Sequence, residues 1–267
     1  MKQIMFVLLL LPSLCFPETP TLTSKSALVI NDNTQEIILS KNIEYKRPVA
    51  SITKLMTAII VLDANQSLSQ PLTITLRNIT PKRSYSRLPT TQKLTRQELL
   101  LLTLMSSENR AANTLANNYP KGYSAAIRNM NNKAKQLGMK NTYFKDATGL
   151  SRHNVSTSAD LAILVTTAYS YPTIRELTTH KQEIIAIGKR QEIFRNTNPL
   201  IRSADEPLPF IQVTKTGYIK ESGRCITMVV TTNNNTPVTI VLLNAPSSEA
   251  RTKDIKAIIE WLNQSNI

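Results

Sequence analysis

Between Ser51 and Ala64 the chain is apolar on nearly every helical face, through Ile52, Leu55, Met56, Ile59, Ile60 and Leu62. A helix of that kind belongs in a protein interior, because no side of it is polar enough to face water. Lys54 alone interrupts the run. Ser51 stands three positions before it, and residues three apart on a helix share a face, so the amine can reach the hydroxyl. A solvated lysine is protonated at neutral pH and useless as a base; burial and nearby cations both pull its pKa toward the working range. The hydroxyl gains as well, since a helix N-terminus offers free N–H groups to developing negative charge. A chain of this length contains about one S-x-x-K by chance, often on a helix surface. The apolar surroundings of Lys54 set this one apart.

Around that helix the texture of the chain is uneven. Ala27 to Asn31 and Glu36 to Leu39 are β-rich runs about the turn Asp32-Asn33-Thr34, which predicts a hairpin. Leu94 to Leu115 and Ser158 to Tyr169 read as helices, the second ended by Pro172. Beyond about residue 180 strands return, at Ile184 to Ile187, Phe210 to Thr214, Arg224 to Thr232 and Val238 to Asn244, with Asn233 to Asn235 joining the last two. A closing helix starts from Ser248 as N-cap and carries Ile255, Ile258, Ile259 and Leu262 at helical spacing. Strands at both ends with helices between predict a mixed α+β (α/β) fold: one antiparallel sheet built from both termini, flanked by helices, with an all-helical subdomain.

Two further segments carry chemistry. Ser107-Glu108-Asn109 is a polar helix end in its plain reading. Its sharper reading gives Ser107 as a proton shuttle and Asn109 as an amide that both donates to and accepts from a peptide. Lys215-Thr216-Gly217 reads plainly as a strand finishing at a glycine turn. Alternatively Lys215 supplies positive potential, Thr216 binds a carboxylate and Gly217 lets a substrate backbone approach the strand edge as an added strand.

Met1 to Phe16 has one cation, Lys2, an apolar run from Ile4 to Leu11, then Pro12 and Ser13, which is the shape of a secretory signal. The run is too short to span a bilayer, and bulky Leu14 before Cys15 argues against lipidation. The expectation is a signal peptide over 1–16 and one domain over 17–267, exported to the periplasm or cell envelope, without a C-terminal β-domain or a stable membrane span. Cys225 is then the sole thiol, so no internal disulfide forms. The net charge of +14 favours nucleic acid, anionic membrane or an acidic polymer such as cell wall. Export, 5% aromatics and the lack of a recognised binding motif exclude nucleic acid. Neither His153, His180 nor Cys225 has metal-ligand spacing or a paired acid, so no metal or other cofactor is expected, and all three read as structural or surface residues.

Taken in order, with separations of 56 and 108 residues, the three motifs resemble the serine–lysine signature of β-lactamases and penicillin-binding proteins. The chain as a whole, from about Ala27 to Leu262, resembles the small D-alanyl-D-alanine endopeptidases of the penicillin-binding protein 7 type. MSSENRAA (Met105 to Ala112), DATGLSRHNVSTSADL (Asp146 to Leu161), YPTIREL (Tyr171 to Leu177), FRNTN (Phe194 to Asn198) and KTGYIKESGRC (Lys215 to Cys225) carry that likeness. Glu108, where many relatives have aspartate, is a small departure. The resemblance implies the β-lactamase/transpeptidase-like fold and an acyl-enzyme on Ser51 with Lys54 as base. It also implies an oxyanion hole from the backbone N–H groups of Ser51 and Tyr218, peptidoglycan stem peptides as substrates, β-lactam antibiotics as covalent inhibitors, and a monomer. A class A-like β-lactamase is the rival enzyme, but no Glu-x-x-Leu-Asn lies between Asn109 and Lys215. A non-catalytic cationic wall-binding protein is the rival outside enzymes.

Overall fold

A computed structural model describes residues 18–78, 86–203 and 210–265. The signal segment expected over 1–16 lies outside them. In chain order the elements are β1 (Ser26–Asn31), β2 (Ile37–Lys41), β3 (Arg47–Pro48), a 3-10 turn (Ala50–Ile52), α1 (Thr53–Asp63), β4 (Pro71–Thr73), β5 (Lys93–Thr95), α2 (Arg96–Leu104), α3 (Asn109–Asn117) and α4 (Tyr123–Gln136). There follow β6 (Val155–Ser156), α5 (Ser158–Tyr169), α6 (Pro172–Thr179), β7 (Gln182–Ile187), β8 (Arg190–Arg195), α7 (Pro199–Arg202), β9 (Ile211–Ile219), β10 (Gly223–Thr231), β11 (Pro237–Ala245) and α8 (Ser248–Gln264).

The main sheet is antiparallel in the order β2-β1-β11-β10-β9, so strands from both ends of the chain share it, as expected. Its middle strands are apolar at almost every position because both faces are covered. Leu28, Val213, Val229 and Val241 enter the larger core with α1, α2 and α5. Ala27, Val29, Ile226, Met228 and Ile240 enter a second core capped by Ile255, Ile258, Trp261 and Leu262 of α8. The α8 side is fastened by one carboxylate. Asp254 accepts hydrogen bonds from the backbone N–H and hydroxyl of both Thr23 and Ser24 at 2.6–3.1 Å, tying the last helix to the segment before β1.

Several boundaries depart from expectation for local reasons. The helix expected over Leu94 to Leu115 is two helices: α2 starts with a Thr95–Glu98 capping box and stops at Leu104. Ser107 then takes a left-handed φ of 60°, and Glu108 caps α3 by accepting from Arg110 N at 3.0 Å. Pro172 ends α5 but also occupies the first turn of α6, where its missing N–H costs nothing. Lys215 to Gly217 lie inside β9, which runs on to Ile219 instead of finishing at the glycine. The cap of α8 is Ser247, one residue before the serine expected.

Candidate active site

Ser51 sits in the 3-10 turn that feeds α1, and Lys54 follows one turn on, with α1 buried on every side from Thr53 to Val61. Lys54 is fully buried, and its Nζ is 2.8 Å from Ser51 Oγ, 2.7 Å from Asn109 Oδ1 and 2.7 Å from the Thr148 carbonyl oxygen. Those three acceptors match the three N–H bonds of an ammonium; loss of one proton frees a lone pair. Burial pulls the Lys54 pKa down to about 7, while the carboxylates of Asp146 and Glu108 push the other way. Ser51 Oγ also lies 3.5 Å from the Thr148 carbonyl.

The backbone around Ser51 is held in an unusual shape. Ala50 has φ 47°, a left-handed conformation that costs an L-residue and persists only when its surroundings enforce it. Two glycines provide that enforcement by close approach. A Cβ on Gly149 would stand 1.9 Å from the Ala50 carbonyl oxygen, and one on Gly217 would stand 3.0 Å from the Val49 oxygen and 3.1 Å from Ser51 N. Val49 N in turn donates to the Asn154 carbonyl at 3.0 Å.

Ser51, Ser107, Asn109, Thr216, Gly217 and Tyr218 line one cleft of about 850 Å³, so the three separated motifs open onto the same space. Lys215 is buried beside them. Burial, then the nearby Lys54 and Arg251 charges, hold its ammonium well below the usual lysine range, and its Nζ donates to the Thr216 carbonyl at 3.0 Å. Tyr218 is half exposed, with the Arg224 guanidinium stacked 3.6 Å from its ring centroid. On the side toward α8 the cleft is cationic: Arg202, Arg224, Arg251, Lys253 and Lys256 line it against Glu249 alone. Burial and the Arg224 charge lower the Arg251 pKa to about 10, and its Nε has no hydrogen-bond partner.

Sequence reading missed two contributors. Thr197 receives the Thr216 hydroxyl hydrogen bond at 2.7 Å and lines the cleft. Thr148 contributes only its carbonyl, which no side-chain motif can reveal; both lie in segments quoted above for their likeness alone. Cys225 is buried, and His153 and His180 are away from the cleft, as expected. Among the described residues no cluster of His, Cys, Asp and Glu could hold a metal, and no helix is long and apolar enough to cross a membrane.

The profile of the D-alanyl-D-alanine carboxypeptidase family matches residues 15–247. The chain is 41% identical over 252 residues to a D-alanyl-D-alanine endopeptidase of Escherichia coli, covering 93% of this chain and 80% of that one. It is 40% identical over 259 residues to the Pseudomonas aeruginosa protein of the same name, covering 96% and 82%. Among solved structures, the Streptomyces K15 DD-transpeptidase superposes with a TM-score of 0.83 at 25% identity, over 92% of this chain and 98% of that one. Penicillin-binding protein D2 of Listeria monocytogenes, in its cefotaxime-bound form, gives 0.80 at 27%, over 92% and 99%.

Proposed function

For a chain that belongs to the D-alanyl-D-alanine carboxypeptidase family of serine peptidases, we propose hydrolysis of D-alanyl peptide bonds in peptidoglycan, chiefly at cross-links, through an acyl-enzyme on Ser51. The observation that carries this reading is the fully buried Lys54 amine 2.8 Å from the Ser51 hydroxyl, at the edge of a cleft shared by all three motifs.

In this reading the neutral Lys54 amine takes the Ser51 proton as Oγ bonds to the D-alanyl carbonyl carbon. The resulting oxyanion is held by the backbone N–H groups of Ser51 and Tyr218. Collapse breaks the C–N bond, Ser107 relays the proton to the departing amine, and water then hydrolyses the ester to regenerate Ser51 and release a carboxylic acid. Asn109 orients the peptide, Thr216 and Lys215 bind its negative charge, and Gly217 leaves room for its backbone along β9. The cationic arm of the cleft suits a peptide bearing several carboxylates. A β-lactam would acylate Ser51 through its ring amide, and without a glutamate placed to activate water its release would be slow. The reading also takes 1–16 as an export signal and 17–267 as one DD-peptidase domain, working as a monomer in the periplasm or cell envelope.

Fluorescent penicillin tests the nucleophile: labelling of the parent and none of Ser51→Ala is expected, and equal labelling refutes it. Cross-linked muropeptide dimers test the bond. Release of monomers is expected of an endopeptidase, loss of terminal D-alanine alone would make the protein a carboxypeptidase, and wall binding with neither would favour the non-catalytic alternative.

A further inference from the structure

Asp146 is not among the residues lining the cleft, yet it organises the wall behind the nucleophile. Its Oδ1 accepts from Thr148 N at 2.7 Å, Thr148 Oγ1 at 2.8 Å and Gly149 N at 2.7 Å, and its Oδ2 accepts from Ser151 N at 2.8 Å. Four donors on one carboxylate fold residues 146–151 into a tight turn. That turn aims the Thr148 carbonyl at Lys54 and presses Gly149 under Ala50. Asn154 fastens the turn to α1, its Nδ2 donating to Thr53 Oγ1 and to the Asp146 carbonyl, both at 2.9 Å, while its Oδ1 accepts from Asp146 N at 3.1 Å.

Building on the acyl-enzyme reading above, we propose that Asp146 is a positioning residue for acylation: its carboxylate fixes the Thr148 carbonyl that holds the Lys54 amine against the Ser51 hydroxyl, and its negative charge faces that amine. The charged or titratable groups around Lys54 are Asp146 from the turn, Glu108 from the cap of α3 and Lys215 from β9. The Tyr123 hydroxyl of α4 stands behind the turn, accepting from Ala147 N at 3.4 Å. With Asp146 neutral, only Glu108 would oppose the effect of burial, so Lys54 would release its proton at lower pH.

The experiment is the rate of acylation by fluorescent penicillin against pH for the parent, Asp146→Asn and Thr148→Val, with Ser51→Ala as control and circular dichroism to confirm folding. Asp146→Asn keeps the side-chain volume, removes the charge and turns one of the two accepting oxygens into a donor: about a tenfold slower maximum is expected, with the acidic limb displaced downward by about one pH unit. Thr148→Val removes one of the four donors and keeps the charge, so a several-fold slower rate with an unmoved limb is expected. A limb in Asp146→Asn that coincides with the parent's overturns the proposal. If Asp146→Asn does not fold, Thr148→Val decides, and a parent-like rate there overturns it. Labelling of Ser51→Ala would instead sink the acyl-enzyme reading itself, whatever Asp146 does.

Discussion

The two faces of the main sheet are built for different ends. Beneath α8 the core is almost purely apolar, and Asp254, its one buried carboxylate among the described residues, gathers donors from Thr23 and Ser24 to tie α8 to the segment before β1. On the opposite face the apolar core is interrupted by Lys54, Thr53, Thr57, Asn154 and Asp160, all buried. There another carboxylate, Asp146, gathers donors in the same way, but the turn it folds lies against Lys54 and Ala50. Under the acyl-enzyme proposal, the same device stabilises on one face and aligns reacting groups on the other. Burial of polar groups is costly unless every one is paired, so concentrating them around Lys54 is the signature of a face shaped by chemistry.

That contrast can be broken at four points. On the chemical face, Lys54→Met should slow acylation about 10³-fold, within the usual range for loss of a general base, while leaving the fold intact. Folding lowers the Lys54 pKa from 10.5 to about 7, so the unfolded chain binds the extra proton between those values. Lys54 therefore costs stability as pH falls from 10.5 to 7, and thermal melts should improve for the variant relative to the parent across that window. For the parent, acylation should fall as pH drops below about 7, where the amine becomes charged. On the scaffold face, Ile258→Ala should lose about 2–5 kcal/mol by leaving a cavity, lowering Tm by roughly 5–15 °C. Its acylation rate at room temperature should match the parent's; a fall there would show that the faces are coupled. Asp254→Ala should be milder, about 1–3 kcal/mol by denaturant melts, since the exposed Thr23 donors it leaves can reach water and only those of Ser24 stay buried.

The smallest effect should come from Asp32, at the end of β1, remote from the cleft. Its carboxyl is raised to about 6 by burial, against the hydroxyls of Thr239 and Thr166. Folding thus favours its protonated form, a contribution present below pH 3.8 and lost as pH rises through 6. Asp32→Asn should raise Tm by about 1–3 °C at pH 8, give no gain near pH 3.5, and leave acylation unchanged. A change in acylation would mean that remote polar groups also serve the site.

What the sequence disclosed follows the same division. Ser51, Lys54, Ser107, Asn109 and Thr216 could be picked out because their side chains stand at telling spacings; Ser51, Ser107, Asn109, Thr216 and Gly217 line one cleft, and Lys54 is buried against Ser51. The Thr148 carbonyl could not, since any residue carries one, and three of the four donors to Asp146 are backbone N–H groups that leave no pattern. The long strands were legible from β-branched runs, whereas β8 was missed because Arg190-Gln191-Glu192 looks like loop. The helix α4 was missed because its buried side is mostly alanine, with Ala125, Ala126, Met130 and Ala134, too small to stand out among polar neighbours. The break between α2 and α3 depends on Ser107 adopting a conformation that serine seldom takes.

The sheet order ends at β9, and on its far side the cleft takes the place of another strand. A ligand lying there would be gripped largely through its main chain, whose geometry is the same for every amino acid. Recognition of that sort would forgive variety among neighbouring residues and, under the acyl-enzyme proposal, reserve its strictness for the stereocentre facing Ser51. Arg202, Arg224, Lys253 and Lys256 put like charge beside that edge, where the strand of a second copy would have to pair.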